Sequence, residues 1–122
     1  MMDLMIECID VNCAESPPVS TADIPALQSQ IPEWQTVDVD GVPRLRRTYR
    51  FGSYPEVLAF VQRVGELAEN EGHHPVITAE WGKVRVSWWT HSTKGLLRND
   101  FIMAAKTDTV YDDGREAIVD SR

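Results

Sequence analysis

The chain has 122 residues and a formal net charge of −7 at pH 7, with 43% hydrophobic and 25% charged residues. This length suits one domain with a single core, and the composition is that of a soluble globular protein. The acidic balance argues against a direct nucleic-acid partner, and no apolar run approaches the length of a membrane span. The acidic start also lacks the basic region of a secretory signal, so we expect a cytoplasmic protein.

The first part of the chain, residues 1–18, has no sustained hydrophobic period and predicts an irregular lead-in. It contains the only two cysteines, Cys8 and Cys13. A zinc site takes four ligands, and two cysteines alone do not make one. We therefore interpret them as reduced thiols in a loose segment.

A short helix and a hairpin are predicted next. The helix begins near Asp23 and ends before Pro32. Asp40-Gly41 is a turn signal of the kind that joins two antiparallel strands. The two strands are predicted at residues 33–39 and 42–51.

The second of these strands separates its side chains onto two faces. Leu45 and Tyr49 point to one face, whereas Arg44, Arg46 and Arg50 point to the other. Strict alternation predicts an antiparallel sheet with one apolar and one solvated face. We interpret the arginines as part of the solvated face, with an anion-binding site as the alternative.

A long helix follows the hairpin. Ser53 and Glu56 form a capping-box pattern at its start, and the helix is predicted to continue to about Glu69. Gly72 stands where a left-handed cap belongs, and Pro75 prevents continuation. The buried stripe is predicted from residues at helical spacing, namely Val57, Phe60, Val61, Val64, Leu67 and Ala68.

A second hairpin and a last helix complete the pattern. The strands are predicted at residues 76–81 and 84–90, and the helix at 98–110. Alternation in the second of these strands predicts a more apolar face, packed on the helices, that consists of Val84, Val86, Trp88 and Thr90. Residues 112–122 predict a loose C-terminal tail, which leaves residues 19–111 as the folded domain. The order helix, strand, strand, helix, strand, strand, helix predicts a two-layer α+β fold: a four-stranded antiparallel sheet with helices packed on one face.

All three histidines of the chain lie close to carboxylates. His73 and His74 follow the long helix, four and five residues after Glu69, and His91 ends the fourth predicted strand, nine residues before Asp100. The pKa of free histidine lies near working pH, so this pattern indicates proton transfer. Neither His73 nor His91 falls on a predicted core stripe, so we expect substitution of either to change stability by no more than about 1 kcal/mol.

Seven residues occur here in the order acid, His, His, Pro, aromatic, His, Asp: Glu69, His73, His74, Pro75, Trp81, His91 and Asp100. In order and spacing they resemble the motif of the pterin-4a-carbinolamine dehydratases, also called dimerization cofactor proteins. The resemblance covers roughly residues 24–110 and agrees with the predicted fold.

The resemblance implies a function. The family removes water from 4a-hydroxytetrahydrobiopterin to give quinonoid dihydropterin, which recycles pterin without a metal or another cofactor. It implies proton transfer by Glu69, His73 and His91, and substrate binding by His74, Trp81 and Asp100. It also implies a pterin as the small-molecule partner and a homodimer, with pairing of dimers into a tetramer left open.

Two other classes of function remain as alternatives. One is a metal site built from the three histidines, although adjacent histidines project poorly onto one ion. The other is a dimeric interaction protein without catalysis, such as a transcriptional coactivator on the same fold, because fold alone does not establish function.

Overall fold

The computed structural model describes Leu4, residues 19–90 and residues 95–120, the last six of these by their backbone only. The helices and strands follow the predicted order. They are α1 (Ile24–Gln28), β1 (Gln35–Val39), β2 (Val42–Arg50), α2 (Tyr54–Glu71), β3 (Val76–Glu80), β4 (Lys83–Trp88) and α3 (Arg98–Asp120). The four strands form one antiparallel sheet in the order β1-β2-β4-β3, and the helices cover one face, which confirms the two-layer α+β prediction.

The turns of the chain have local causes. At the β1–β2 turn, Asp40 and Gly41 have φ angles of 54° and 82°, and the Gly41 N–H donates to Asp38 Oδ1 at 2.7 Å. Ser53 caps α2 by accepting from the Glu56 N–H, as the capping-box pattern predicts. These signals set the hairpin register and the start of the long helix.

The core lies between the sheet and the helices. In the two central strands Leu45 lies opposite Trp88 and Tyr49 lies opposite Val84, and all four side chains are buried. The alternation predicted for these strands is therefore confirmed. The same core includes residues from α2 and α3, among them Val57, Phe60, Val64, Phe101, Ile102 and Met103.

One carboxylate joins three separate parts of the fold. Asp108 of α3 accepts hydrogen bonds from Trp34 Nε1 (2.9 Å), the Tyr49 hydroxyl (2.6 Å) and an Arg47 guanidinium nitrogen (2.6 Å). Burial, together with the neighbouring Asp108, raises the pKa of the Tyr49 phenol, which therefore stays protonated and donates. The contacts fix α3 over the sheet.

The last helix is longer than predicted. α3 continues to Asp120, whereas the sequence pattern placed its end at Val110 and a loose tail at 112–122. Tyr111 is buried, donates from its hydroxyl to the Arg50 carbonyl at 2.9 Å and packs against Tyr49. This tertiary contact holds α3 beyond Val110, and residues 112–120 are helical where a loose tail was predicted.

At the other end of the chain, Leu4 is buried and its backbone N–H donates to Gln30 Oε1 at 2.9 Å. The rest of the predicted lead-in, including Cys8 and Cys13, lies outside the described residues. In the part of the chain that is described, no helix has both the length and the apolar character needed to cross a bilayer.

Candidate active site

The turn after α2 separates the two adjacent histidines. Gly72 ends the helix in the left-handed conformation, with φ at 66°, and the His73 N–H donates to the Ala68 carbonyl at 3.2 Å. The chain then enters β3 through Pro75. As a result His73 is only 8% exposed, whereas the His74 side chain is 64% exposed. His73 is therefore buried, although it falls on no predicted core stripe, and the expectation that its substitution costs little stability does not fit this position.

The buried histidine contacts a buried carboxylate. His73 Nε2 lies 2.9 Å from Asp100 Oδ1, and the Asp100 side chain is fully buried in the first turn of α3. The two residues are 27 positions apart in the chain, so the contact exists only because α3 packs beside the end of α2. The fold thus brings together two of the predicted site residues.

Two further donors hold the Asp100 carboxylate. The Leu97 N–H donates to Oδ2 at 2.9 Å, and the Thr90 hydroxyl lies 3.2 Å from both oxygens. These bonds and the helix N-terminus compensate for burying the charge. An ionised carboxylate only accepts hydrogen bonds, so its partner nitrogen, Nε2 of His73, carries a proton. The other ring nitrogen, Nδ1, is then the one that can accept a proton.

Trp88 fixes the plane of the His73 ring. The two rings stack at 5.6 Å between centroids with an interplanar angle of 10°. Trp88 is held in turn, because its Nε1 donates to the Thr107 hydroxyl at 3.0 Å, which donates to the Met103 carbonyl at 2.7 Å. The imidazole is therefore restrained both by its carboxylate and by an aromatic surface.

Sequence reasoning missed Trp88 and Thr90 as site residues because alternation placed both on the core face. That placement is correct, since both are buried. The usable signal was their position: they share one face of the strand that leads directly to His91.

The second histidine has an exposed partner. His74 Nε2 lies 3.2 Å from Glu69 Oε2, and the Glu69 side chain is 82% exposed. Glu69 thus contacts His74, the neighbour of the buried histidine. Solvent screens such a pair, which is worth little to stability.

Two predicted site residues stand apart from this cluster. Trp81 is 71% exposed in the β3–β4 turn, at the end of β3 remote from His73. Five residues of strand separate the two ends, roughly 16 Å. The structure does not bring Trp81 to the His73 cluster. His91, which follows Thr90 in sequence, lies outside the described residues.

Within the described residues, no three His, Cys, Asp or Glu side chains are grouped in a way that could hold a metal ion. The proposed metal set includes His91, so it is not tested by this finding. The fold and the buried His73–Asp100 pair define a two-layer α+β protein with a restrained imidazole of the kind that general acid–base chemistry uses.

The chain belongs to the pterin 4 alpha carbinolamine dehydratase family, whose model matches residues 17–110. This confirms the resemblance of the histidine motif. A relative from Syntrophotalea carbinolica is 56% identical over 101 residues, which are 82% of this chain and 90% of the relative. Another from Microcystis aeruginosa is 52% identical over 96 residues, 79% of this chain and 83% of the relative. Both are provisionally named pterin-4-alpha-carbinolamine dehydratase.

Two solved structures share the fold. A transcriptional coactivator/pterin dehydratase from Brucella melitensis superposes with a TM-score of 0.69 at 24% identity, covering 78% of this chain and 99% of that one. A pterin dehydratase-like protein identified as a RuBisCO assembly factor in the alpha-carboxysome gives a TM-score of 0.57 at 25% identity, covering 65% and 89%. The fold therefore occurs in proteins described by different activities.

Proposed function

We propose that this protein is a hydro-lyase that removes water from 4a-hydroxytetrahydrobiopterin to give quinonoid dihydropterin. Family membership supplies the class of substrate. The observation that carries the proposal is the buried contact between His73 and Asp100, in which one ring nitrogen is committed to the carboxylate and the other is left to accept a proton. A dehydratase needs such a base, held at a fixed orientation.

The reaction moves two protons. The bond between C4a and its hydroxyl oxygen breaks, and the departing oxygen takes a proton and leaves as water. A ring nitrogen gives up a proton, and its electron pair forms a new double bond in the ring system. Atoms and electrons balance without oxidation, so one general acid and one general base suffice.

We assign the base to Nδ1 of His73 and the acid to His91. Asp100 was predicted to bind substrate, but it is fully buried, and we propose that it positions His73 instead. His74 is exposed beside the same turn and is proposed to bind the pterin, with Glu69 acting through its contact to His74. Trp81 receives no role in this proposal.

The test is dehydration of a synthetic 4a-hydroxytetrahydropterin by the purified chain. We expect catalysis well above the spontaneous rate, a drop of about 10²–10⁴-fold in turnover for His73→Gln, and no change for Asp112→Asn. Asp112 is exposed on the same helix as Asp100 and provides a matched control. A wild-type rate equal to the spontaneous rate would overturn the proposal.

We also propose a homodimer. β1 and β3 are the edge strands of the sheet, and an open edge presents unpaired backbone groups that a second chain can satisfy. Sedimentation at micromolar concentration is expected to give twice the 13.8 kDa chain mass. A single 13.8 kDa species would contradict this.

A second candidate function is that of an interaction protein without catalysis. The similarity to a RuBisCO assembly factor favours it, because that protein has the same fold and a different described role. The kinetic test separates the two, since an interaction protein would have no dehydration activity for His73→Gln to remove.

A further inference from the structure

The face of the sheet that the helices leave uncovered is strongly basic. Arg44, Arg46 and Arg50 of β2 point to this face, and so do Lys83 and Arg85 of β4. This concentration of cations stands out in a chain with a net charge of −7. The arginines were interpreted from sequence as a solvated face, with an anion site as the alternative, and their spatial arrangement favours the alternative.

The cations are placed close to one another. Arg50 and Lys83 are direct cross-strand partners, an arrangement that destabilises a sheet when the charges are alike. Burial, followed by the nearby charges of Arg85 and Arg44, lowers the pKa of Arg46. Among the residues that the structure describes, no carboxylate lies within salt-bridge distance of Arg50 or Arg85. A bound anion would relieve this repulsion.

Part of this face forms an open pocket of about 200 Å³. Three cations and one carboxylate line it, leaving two positive charges, and two threonines flank Arg85 on the neighbouring strands. The lining residues are Thr48, Arg50, Thr78, Glu80, Lys83 and Arg85. Glu80 pairs with Lys83 at 2.9 Å, so the two guanidinium groups are the cations left for a ligand.

We propose that this pocket binds the phosphate group of a small molecule. Each guanidinium can donate two parallel hydrogen bonds to phosphate oxygens, and the threonine hydroxyls can donate to the remaining ones. Two net positive charges match a dianion. The pocket is limited in size and the chain is acidic overall, which favours a small ligand over a nucleic acid.

The pocket is separate from the candidate active site. It lies where β4 begins, at Lys83 and Arg85, whereas Trp88 and Thr90 beside His73 lie where β4 ends. The distance along the strand from Arg85 to Trp88, where β4 ends, is roughly 10 Å, and the two side chains lie on opposite faces of the sheet. Phosphate binding here does not depend on the dehydratase proposal and can fail or succeed independently of it.

The test is titration of the full chain with inorganic phosphate and with pyrophosphate, followed by backbone NMR and calorimetry. We expect saturable shifts at β2 and β4, and pyrophosphate is expected to bind more tightly than phosphate. Arg85→Gln should weaken binding about tenfold or more, and Arg85→Lys by less, because it keeps the charge but loses the paired hydrogen bonds. Arg63→Gln is the matched control, because Arg63 is exposed on α2 across the sheet.

Thermal melts of the wild-type chain and of Arg85→Gln, with and without pyrophosphate, provide a second measurement. Arg85 is exposed and lies among like charges, so Arg85→Gln should leave the melting temperature of the free chain unchanged or raised. The melting temperature should then no longer rise with pyrophosphate.

Several outcomes would overturn the proposal. One is an absence of saturable binding up to about 10 mM pyrophosphate. Another is a loss of pyrophosphate affinity for Arg63→Gln as large as that for Arg85→Gln, which would indicate a diffuse ionic effect. Tighter binding of a single-stranded oligonucleotide at the same residues would make the ligand a polymer. Dissociation of an oligomer by Arg85→Gln would make this face an interface between copies of the chain.

Discussion

His73 and His74 are neighbours in the chain, and each lies beside a carboxylate, yet the two pairs occupy different environments. The His73–Asp100 contact is 2.9 Å long and joins an almost buried ring to a fully buried carboxylate. The His74–Glu69 contact is 3.2 Å long, and both side chains are mostly exposed. One pair bridges two distant elements, and the other stays within a single turn.

One tight turn therefore gives the two adjacent histidines different surroundings. The buried pair is held by the Thr90 hydroxyl and the Leu97 N–H, and this fixed geometry suits the proposed proton transfer. The exposed pair costs little to rearrange, which suits the proposed contact of His74 with substrate. Six variants at five positions, taken from the largest expected effect to the smallest, test these proposed roles.

Asp100→Ala is expected to be the most damaging change. It would leave the Thr90 hydroxyl, the Leu97 N–H and His73 Nε2 without their shared acceptor in a buried space. The expected loss is about 3–5 kcal/mol of unfolding free energy, measured by urea denaturation. Asp112→Ala on the same helix is the control, with an expected change within about 0.5 kcal/mol. Equal losses for the two variants would refute the special status of Asp100.

His73→Gln and His73→Ala separate chemistry from stability. The glutamine amide can still donate to Asp100, whereas alanine removes that donor. Both should reduce turnover by about 10²–10⁴-fold, but only alanine should also cost about 1–3 kcal/mol. Steady-state kinetics and thermal melts on the same preparations provide the measurement. Normal turnover in the glutamine variant would place the base elsewhere.

Thr90→Val should lower both stability and turnover, but by less than the substitutions of Asp100 and His73. The substitution keeps the shape of the side chain but removes the hydroxyl that lies 3.2 Å from both Asp100 oxygens. We expect a loss of about 1–2 kcal/mol and a moderate drop in turnover, because His73 would be less well fixed. Thr109→Val on α3 is the control; an equal drop in turnover there would contradict the role of Thr90.

We expect His74→Ala and Glu69→Gln to change the free energy of unfolding by at most about 0.5 kcal/mol, because both side chains are exposed. His74→Ala should raise KM more than it lowers kcat, as expected for a group that binds substrate and transition state alike. A kcat loss as large as that of His73→Gln would remove the distinction between the two pairs.

Most of the fold was predictable because its signals are local. The Asp40-Gly41 turn, the Ser53 cap and Gly72 each set a boundary within a few residues. The end of α3 was not predictable, because Tyr111 is held by β2, far away in sequence.

The motif also allowed the family to be predicted, and the family model confirms it. The burial of His73 could not be predicted, because it depends on the packing of α3 and on the stacking of Trp88. A residue pattern identifies which groups are present, whereas tertiary contacts determine which of them are shielded from water.

The anchoring of α3 by Asp108 has a consequence for the site two turns away. Asp108 follows Asp100 by eight residues, roughly 12 Å along the helix. Sliding α3 by a single turn would displace Asp100 by about 5.4 Å, nearly twice the length of its hydrogen bond to His73. The three donors to Asp108, from Trp34, Arg47 and Tyr49, therefore hold α3 at a fixed position along its axis relative to the sheet. They set the axial position of a carboxylate that none of them touches.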